Sequence, residues 1–163
     1  MLKSYNLEEL DDFLLWIKTN PVSLRFIELM ETSDNREYFQ ANHVKGTDIQ
    51  QRLEKDGWIE KLRGPHAGPA KEYQHKGYRG SIGLIMPYSK DFCISCNRLR
   101  VSSNGKLHLC LFGESGHDLR SVLNQGQHVL ANHLNTLLDQ KGAQHDLSNH
   151  QTGATRHLAM LGG

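Results

Sequence analysis

The residues around the three cysteines limit most strongly how this chain can fold. Residues 99–101 and 106–110 alternate between apolar and polar side chains, and Asn104-Gly105 lies between these two stretches. Alternation at period two on both sides of an Asn-Gly pair predicts a β-hairpin. A slip of one residue would turn every side chain to the other face, so the pattern also specifies the register.

A three-residue loop, with Gly105 in the left-handed conformation, gives the consistent register. A two-residue loop would mix polar and apolar side chains on both faces of the hairpin. The three-residue loop instead pairs like with like: Val101 with Leu107, Leu99 with Leu109, Arg100 with His108, and Arg98 with Cys110. The sequence therefore predicts one apolar face and one face that carries arginines and a cysteine, with Cys96 leading into it.

The cysteines predict a metal centre. Cys93, Cys96 and Cys110 are the only cysteines, in the spacing C-x2-C-x13-C, and thiolates are ligands for zinc and for iron–sulfur clusters. A structural zinc site is normally closed by four ligands, so zinc would need His108 or another histidine. A four-iron cluster on three cysteines leaves one iron open to substrate, although four cysteines are more usual. The spacing alone leaves both metals open.

Two arginines directly follow the second cysteine of the motif. Arg98 and Arg100 lie two and four residues after Cys96. Guanidinium groups bind phosphate through paired hydrogen bonds, and they would be unusual companions of a purely structural zinc ion. Their position favours a metal centre that binds a phosphorylated substrate.

Composition excludes several classes of function. The formal net charge is +1 and the pI is about 7.8, so no bulk positive field indicates a nucleic-acid partner. No apolar run approaches the ~18 residues of a membrane span, and no secretory signal is expected. The odd number of cysteines argues against a disulfide framework and for a reducing, cytoplasmic location.

The pattern along the chain predicts an α+β protein. The near-continuous apolar run at 22–30 is typical of a buried parallel strand. No second βα unit follows this run, so the strand is expected to lack its parallel neighbours. The other predicted elements are a helix over 6–18 capped by Asn6, an irregular stretch over 31–46, a helix over 47–55 ended by Gly57, strands over 58–62, 71–74 and 81–86, helices over 117–123 and 129–138, and a mobile tail from 144.

A longer motif around the cysteines resembles a known family. Residues 86–111 read M-P-Y-x3-F-C-x2-C-N-R-L-R-V-S-x2-G-K-L-x2-C-L, and further matches lie at residues 24–30, 68–70 and 162–163. The pattern is similar to the C-terminal cluster segment of the GTP 3′,8-cyclases. These radical S-adenosylmethionine enzymes open molybdenum cofactor biosynthesis. The resemblance covers essentially the whole chain, but only about the second half of the family's usual length.

The resemblance implies a set of site residues. Cys93, Cys96 and Cys110 would hold a [4Fe-4S] cluster whose open iron binds the purine of GTP. Further residues would act around it: Arg98, Leu99 and Arg100 on GTP, Arg25 as a catalytic arginine, and Met30 as a contact of S-adenosylmethionine. Without the resemblance, the simpler interpretation of Arg25 is an ion pair with Glu28 or another acidic residue.

The chain departs from the family in one respect. It has no C-x3-C-x2-C motif, which in the family holds the cluster that cleaves S-adenosylmethionine to a 5′-deoxyadenosyl radical. The resemblance therefore implies the substrate-binding part of an enzyme that converts GTP to (8S)-3′,8-cyclo-7,8-dihydroguanosine 5′-triphosphate. The chain alone is expected to bind GTP without turnover. Its expected partners are an N-terminal half or a second protomer, since the family forms homodimers.

The implied architecture is the C-terminal end of an incomplete TIM-type barrel, followed by a small, mostly antiparallel sheet with helices. Residues 1–46 would be the last helix and strand of the barrel plus a loop, residues 47–142 the cluster and GTP-binding subdomain, and residues 143–163 a flexible tail ending Gly-Gly. Two alternatives remain open at this point. The chain is a zinc or protein-interaction module without a nucleotide site, or a remnant that folds poorly and exposes apolar surface.

Overall fold

Helices and short strands alternate along the part of the chain that the computed structural model describes, residues 1–64, 67–94 and 96–156. The predicted α+β class is confirmed. The elements are α1 (Leu10–Thr19), β1 (Ser23–Ile27), α2 (Arg36–Asn42), α3 (Gly46–Lys55), β2 (Ile59–Glu60), β3 (Lys71–Gln74), β4 (Ser81–Ile85), β5 (Arg100–Val101), β6 (Lys106–His108), β7 (His117–Asp118), α4 (Gln127–Leu138) and a 3-10 turn (Leu147–Asn149).

The chain forms two compact units. The first contains residues 1–30 and 37–92, and the second contains residues 31–36 together with the chain from residue 93 onward. None of the described helices is long and apolar enough to cross a membrane.

A mixed four-stranded sheet organises the first unit. Its strand order is β1-β4-β3-β2, with β1 parallel to β4 and the other pairs antiparallel. The apolar run therefore forms a parallel strand, as predicted, but the expected lack of a parallel neighbour is wrong because β4 pairs with it. This pairing joins residues on both sides of position 46. The incomplete barrel and the division at that position stay predictions.

Two helices cover one face of this sheet because their apolar residues recur at helical spacing. Leu10, Leu14 and Ile17 of α1 are buried, and Ile49 and Leu53 of α3 lie four residues apart. Their main partners in the core are Phe26, Trp58, Tyr73, Ile82 and Leu84. Each such side chain contributes about 1.5–3 kcal/mol through burial.

Two elements of the first unit differ from expectation. The first helix begins at Leu10, because the Asn6 side chain accepts a hydrogen bond from the Leu2 N–H at 2.8 Å and does not cap the helix. The segment expected to be irregular contains α2, in which Phe39 is the one buried apolar side chain. A seven-residue helix with a single apolar anchor shows no periodic stripe in sequence. Gly57, at φ +87°, follows α3 as predicted.

The predicted hairpin forms in the second unit with the expected register. Arg100 pairs with His108 and Val101 with Leu107, and Gly105 has φ +72°. The apolar face is buried on β6, where Leu107 is 2% exposed, but not on β5, where Val101 is 59% exposed. The small core of this unit consists of Leu107, Leu109, Leu119 and Leu137.

The prediction of a helix that begins at residue 117 is wrong. His117 and Asp118 form β7, which pairs with β6 as a third antiparallel strand. The Leu119 N–H then donates to Gly105 O at 2.9 Å, so the ladder determines the conformation of this segment. The helix predicted over 129–138 is confirmed as α4.

Residues 144–156 of the predicted tail are attached to the rest of the second unit at a few points, although most of their side chains are exposed. Leu147 is 1% exposed, the Thr155 hydroxyl donates to Leu111 O, and the Ala154 N–H donates to Gly113 O at 3.1 Å. Because these contacts depend on residues far away in the chain, the polar composition of the segment gave no sign of them. The terminal Gly162-Gly163 lies outside the described residues.

Candidate cysteine and nucleotide site

The three cysteines lie in the second unit, on a turn and at the end of the hairpin. The Cys96 N–H donates to Cys93 O at 3.0 Å, which closes the turn that carries the first two thiols. Cys110 lies just after β6, and its sulfur accepts a hydrogen bond from the Phe112 N–H at 3.4 Å. All three thiols are free and their residues are partly buried.

Cys96 and Cys110 lie close enough to Cys93 to affect the ionisation of its thiol. Burial raises the pKa of the Cys93 thiol, and the neighbouring Cys110 and Cys96 act in the same direction. A backbone hydrogen bond from His145 and the charge of Lys141 oppose this rise. Three thiolates at this place would repel each other, so the ionised cluster favours a bound cation.

The donor chemistry of the cluster fits a thiolate-bound metal. Soft sulfur ligands suit iron–sulfur clusters and zinc alike. Within residues 1–64, 67–94 and 96–156, however, no group of three or more His, Cys, Asp or Glu side chains is positioned to hold a metal ion. His108, the candidate fourth zinc ligand, lies on β6 opposite Arg100 and is not joined with the cysteines in such a group.

Lys141 is a neighbour of the cysteines that the sequence analysis missed. Its Nζ donates to Cys96 O at 2.9 Å and to Arg98 O at 3.2 Å, and it lies 3.9 Å from Cys96 Sγ. The residue follows α4, more than 40 residues after the cysteine turn. A lysine after an amphipathic helix looks like an ordinary surface residue, so no local signal indicated this contact.

The two arginines after Cys96 are available for an anionic ligand. Arg98 is exposed, and Arg100 is partly buried on β5. Among the ion pairs of the described residues, none involves either guanidinium group. Leu99, which lies between them, is 41% exposed. Unpaired guanidinium groups retain their full capacity for bidentate binding of phosphate.

Arg25 lies in the first unit and is paired with an acid. Its Nη2 is 3.0 Å from Glu72 Oε1, and both side chains are substantially exposed. The alternative interpretation of Arg25 as an ion-pair residue is therefore supported, although the partner is Glu72 and not Glu28. Such an exposed pair contributes about 1 kcal/mol or less. Met30 is partly buried in the same unit.

Glu28 is a buried carboxylate whose partners the sequence did not reveal. Its Oε1 is 2.8 Å from His43 Nε2, and it accepts a backbone hydrogen bond from Gly46 at the start of α3. Burial raises the pKa of Glu28 despite these partners. His43 in turn stacks on Phe39, with ring centroids 4.5 Å apart. The group anchors the end of β1 to α3. The only sign of this group in the sequence is an acidic residue, Glu28, within an otherwise apolar run.

Comparison with known proteins identifies the family. Residues 22–147 match the family model described as Molybdenum Cofactor Synthesis C. The chain belongs to this family.

The Molybdenum Cofactor Synthesis C match contains every predicted site residue, from Arg25 to Cys110. The whole chain is also similar to GTP 3′,8-cyclases: 49% identical to that of Vibrio parahaemolyticus, 50% to that of Cronobacter sakazakii and 50% to that of Shewanella denitrificans. The chain spans about half the length of these curated relatives. The resemblance to the C-terminal portion of the cyclases is thereby confirmed.

Proposed function

We propose that this chain is the C-terminal, substrate-binding part of a cytoplasmic GTP 3′,8-cyclase. The complete enzyme would convert GTP to (8S)-3′,8-cyclo-7,8-dihydroguanosine 5′-triphosphate by radical S-adenosylmethionine chemistry in molybdenum cofactor biosynthesis. The observation that carries the proposal is the segment from Cys93 to Cys110. It combines three free, partly buried thiols with two arginines that have no acidic partner among the described residues.

Each residue of this segment has a role in the proposal. Cys93, Cys96 and Cys110 would hold a [4Fe-4S] cluster, which when bound supplies an iron open to the purine of the substrate. Arg98 and Arg100 would donate hydrogen bonds to the triphosphate, with the backbone at Leu99 between them. Among the described residues, neither arginine side chain has an acidic partner to give up for the triphosphate.

Arg25 and Met30 of the first unit have separate roles in the proposal, Arg25 as the catalytic arginine and Met30 as a contact of S-adenosylmethionine. We propose that Arg25 leaves its exposed ion pair with Glu72 to bind the substrate. Breaking this pair costs little free energy because an exposed ion pair contributes little to stability. Met30 would contact S-adenosylmethionine. The cluster that cleaves this cofactor would belong to the remaining half of the enzyme, so the present chain binds GTP without turnover.

The open edge of β1 supports a partner that completes the sheet. The backbone groups of even-numbered residues bond to β4, as Val22 O and the Glu28 N–H show. Alternate residues of a parallel strand bond to opposite sides. The residues whose backbone groups point to the edge away from β4 are therefore Ser23, Arg25 and Ile27. Of these, Ile27 already accepts a hydrogen bond at its carbonyl oxygen from the N-terminal ammonium of Met1, at 3.5 Å.

An apolar groove lies beside this strand in the first unit. It has a volume of about 500 Å³ and is lined by Glu9, Asp12, Phe13, Trp16 and Leu24. Trp16 is 52% exposed there. The curated relatives are about twice as long as this chain, so we propose that their other half docks here and extends β1 into the incomplete TIM-type barrel. A second protomer is the competing occupant.

Anaerobic reconstitution with iron and sulfide tests the proposed cluster. The wild-type chain is expected to bind about four iron and four sulfide, and Cys96→Ala is expected to lose both. Ser103→Ala, an exposed loop residue of the same hairpin, is the control and should load normally. Zinc without sulfide would establish the interaction module instead. Formation of product by the chain alone would contradict the predicted lack of turnover.

A further inference from the structure

Lys141 makes three contacts with one short segment of the cysteine motif. Its ammonium donates to the carbonyl oxygens of Cys96 and Arg98, at 2.9 and 3.2 Å, and lies 3.9 Å from the Cys96 sulfur. An ammonium group has three donors, so these contacts engage its full capacity. These contacts hold the Lys141 side chain in place, whereas the side chain of a fully exposed lysine is free to move in solvent.

The segment that Lys141 holds has little other support. Residues 97–99 belong to none of the described helices or strands, and β5 begins only at Arg100. This stretch carries the backbone from a proposed cluster ligand to the two proposed phosphate-binding arginines. Lys141 therefore connects the end of α4 to the residues whose direction decides where the guanidinium groups point.

We infer that Lys141 is a positioning residue of the nucleotide site, which fixes the Cys96–Arg98 backbone so that Arg98 and Arg100 meet the phosphates of the substrate. The inference rests on the proposed function. Its ammonium also adds a positive charge beside the backbone that carries the two arginines, and this charge favours a polyanionic ligand. A compact ammonium suits the space between two carbonyl oxygens, whereas a planar guanidinium group presents its donors in a fixed fork.

The test compares the binding of GTP with that of guanosine by the anaerobically reconstituted chain. Lys141→Met keeps most of the apolar stem of the side chain but removes the charge and the donors. It is expected to weaken GTP binding by about tenfold or more, equivalent to about 1.4 kcal/mol, while guanosine binding and the iron and sulfide content stay near wild type. If Lys141 only stabilised the fold, Lys141→Met would weaken the binding of GTP and of guanosine by similar factors.

Two further variants make the result decisive. Lys141→Arg retains the charge and the donors and is expected to recover only part of the lost GTP affinity, because its planar fork fits the two carbonyl oxygens less well than an ammonium does. Lys90→Met removes an exposed lysine three residues before Cys93 and should bind GTP as the wild type does. If Lys141→Met does not fold, the comparison uses Lys141→Gln, which keeps two N–H donors without the charge and is likewise expected to bind GTP less tightly with guanosine unaffected.

Three outcomes would overturn the inference. Equal GTP affinity of the folded Lys141 variants and the wild type would show that the tether does not position the arginines. Parallel loss of GTP, guanosine and iron would show that Lys141 is only a structural support. A wild-type chain that loads its cluster but binds no GTP would overturn the proposed function, and with it this inference.

Discussion

The buried carboxyl group of Glu28 makes the stability of the first unit depend on pH. Its carboxyl group is buried beside His43, the backbone of Gly46, Asp48 and the N-terminal ammonium of Met1. Burial raises the pKa of Glu28 above the ordinary value of 4.5. A carboxyl with a raised pKa stabilises the folded state fully below its unfolded pKa, and this contribution is lost as the pH rises through the folded pKa.

Replacing Glu28 by glutamine should remove this dependence. As the pH rises above 4.5, the ordinary pKa of the glutamate, the free energy of unfolding of the wild type is expected to fall relative to that of Glu28→Gln. Urea unfolding followed by the fluorescence of Trp58, which is 3% exposed in the same unit, measures the difference. Glu37→Gln, at an exposed position of α2, is the control. A wild type that gains stability over Glu28→Gln with rising pH would show a dominant ion pair with His43.

Tyr73 gives a second prediction at the residue scale. Its side chain is fully buried, and within the described residues its hydroxyl makes no hydrogen bond of normal geometry. Burial and the carboxylates of Glu60 and Glu54 raise its pKa. Because a buried unsatisfied hydroxyl is unfavourable, Tyr73→Phe is expected to leave the free energy of unfolding unchanged or to raise it by up to about 1 kcal/mol.

Urea unfolding of Tyr73→Phe and the wild type checks this expectation, with Tyr5→Phe at a 67% exposed position as control. A loss of about 1 kcal/mol or more would indicate that the hydroxyl is hydrogen-bonded in solution, with Glu60 as the leading acceptor.

Elements with strong local signals were predictable, and those decided by tertiary contacts were not. The hairpin followed from alternation and turn chemistry, since the residues involved are close in sequence. The conformation of β7 depends on its pairing with β6. That of β1 depends on its pairing with β4, which lies more than 50 residues further along the chain. The apolar spacing of residues 119–123 suits a helical turn as well as the observed turns, so periodicity alone misassigned the region.

Gly105 makes the hairpin sensitive to a single methyl group. Its φ of +72° is unfavourable for other residues, and an added Cβ would lie 2.9 Å from Arg120 Cγ. Gly105→Ala is therefore expected to destabilise the β5–β6 hairpin by about 1–2 kcal/mol.

Hydrogen exchange of the Ser102 amide, which donates to Lys106 O at 2.9 Å, reports this opening. Gly142→Ala is the matched control, because a Cβ there would meet no atom closer than 3.7 Å. Equal exchange rates in Gly105→Ala and the wild type would mean that the loop adapts without loss of pairing.

For the whole molecule, the sequence motif predicted the family but not the assembly of the site. The cysteines and arginines were visible because they are consecutive, whereas the Lys141 tether and the Glu28–His43 pair join residues distant in the chain. The chain covers about half of its relatives. The proposed docking of the other half to the β1 edge is therefore the main prediction at this scale.

Mixing this chain with the N-terminal half of the Vibrio parahaemolyticus cyclase should give a heterocomplex on size exclusion. Trp16→Glu places a charge in the groove and is expected to weaken the complex at least about tenfold, because buried unpaired charge is strongly unfavourable. Leu15→Glu is the control, since Leu15 is 66% exposed on the same helix but does not line the groove. Self-association through the same face would favour a second protomer, and equal binding by both variants would exclude the groove.

The proposed function requires that the cysteine segment binds GTP at an open iron. Electron paramagnetic resonance of the reduced, anaerobically reconstituted chain, recorded before and after addition of GTP, tests it most directly. We predict a four-iron signal that GTP alters, and no such alteration in Arg98→Ala/Arg100→Ala at the same concentration. A cluster whose spectrum is unaffected by saturating GTP, or zinc in place of iron and sulfide, would contradict the proposed function.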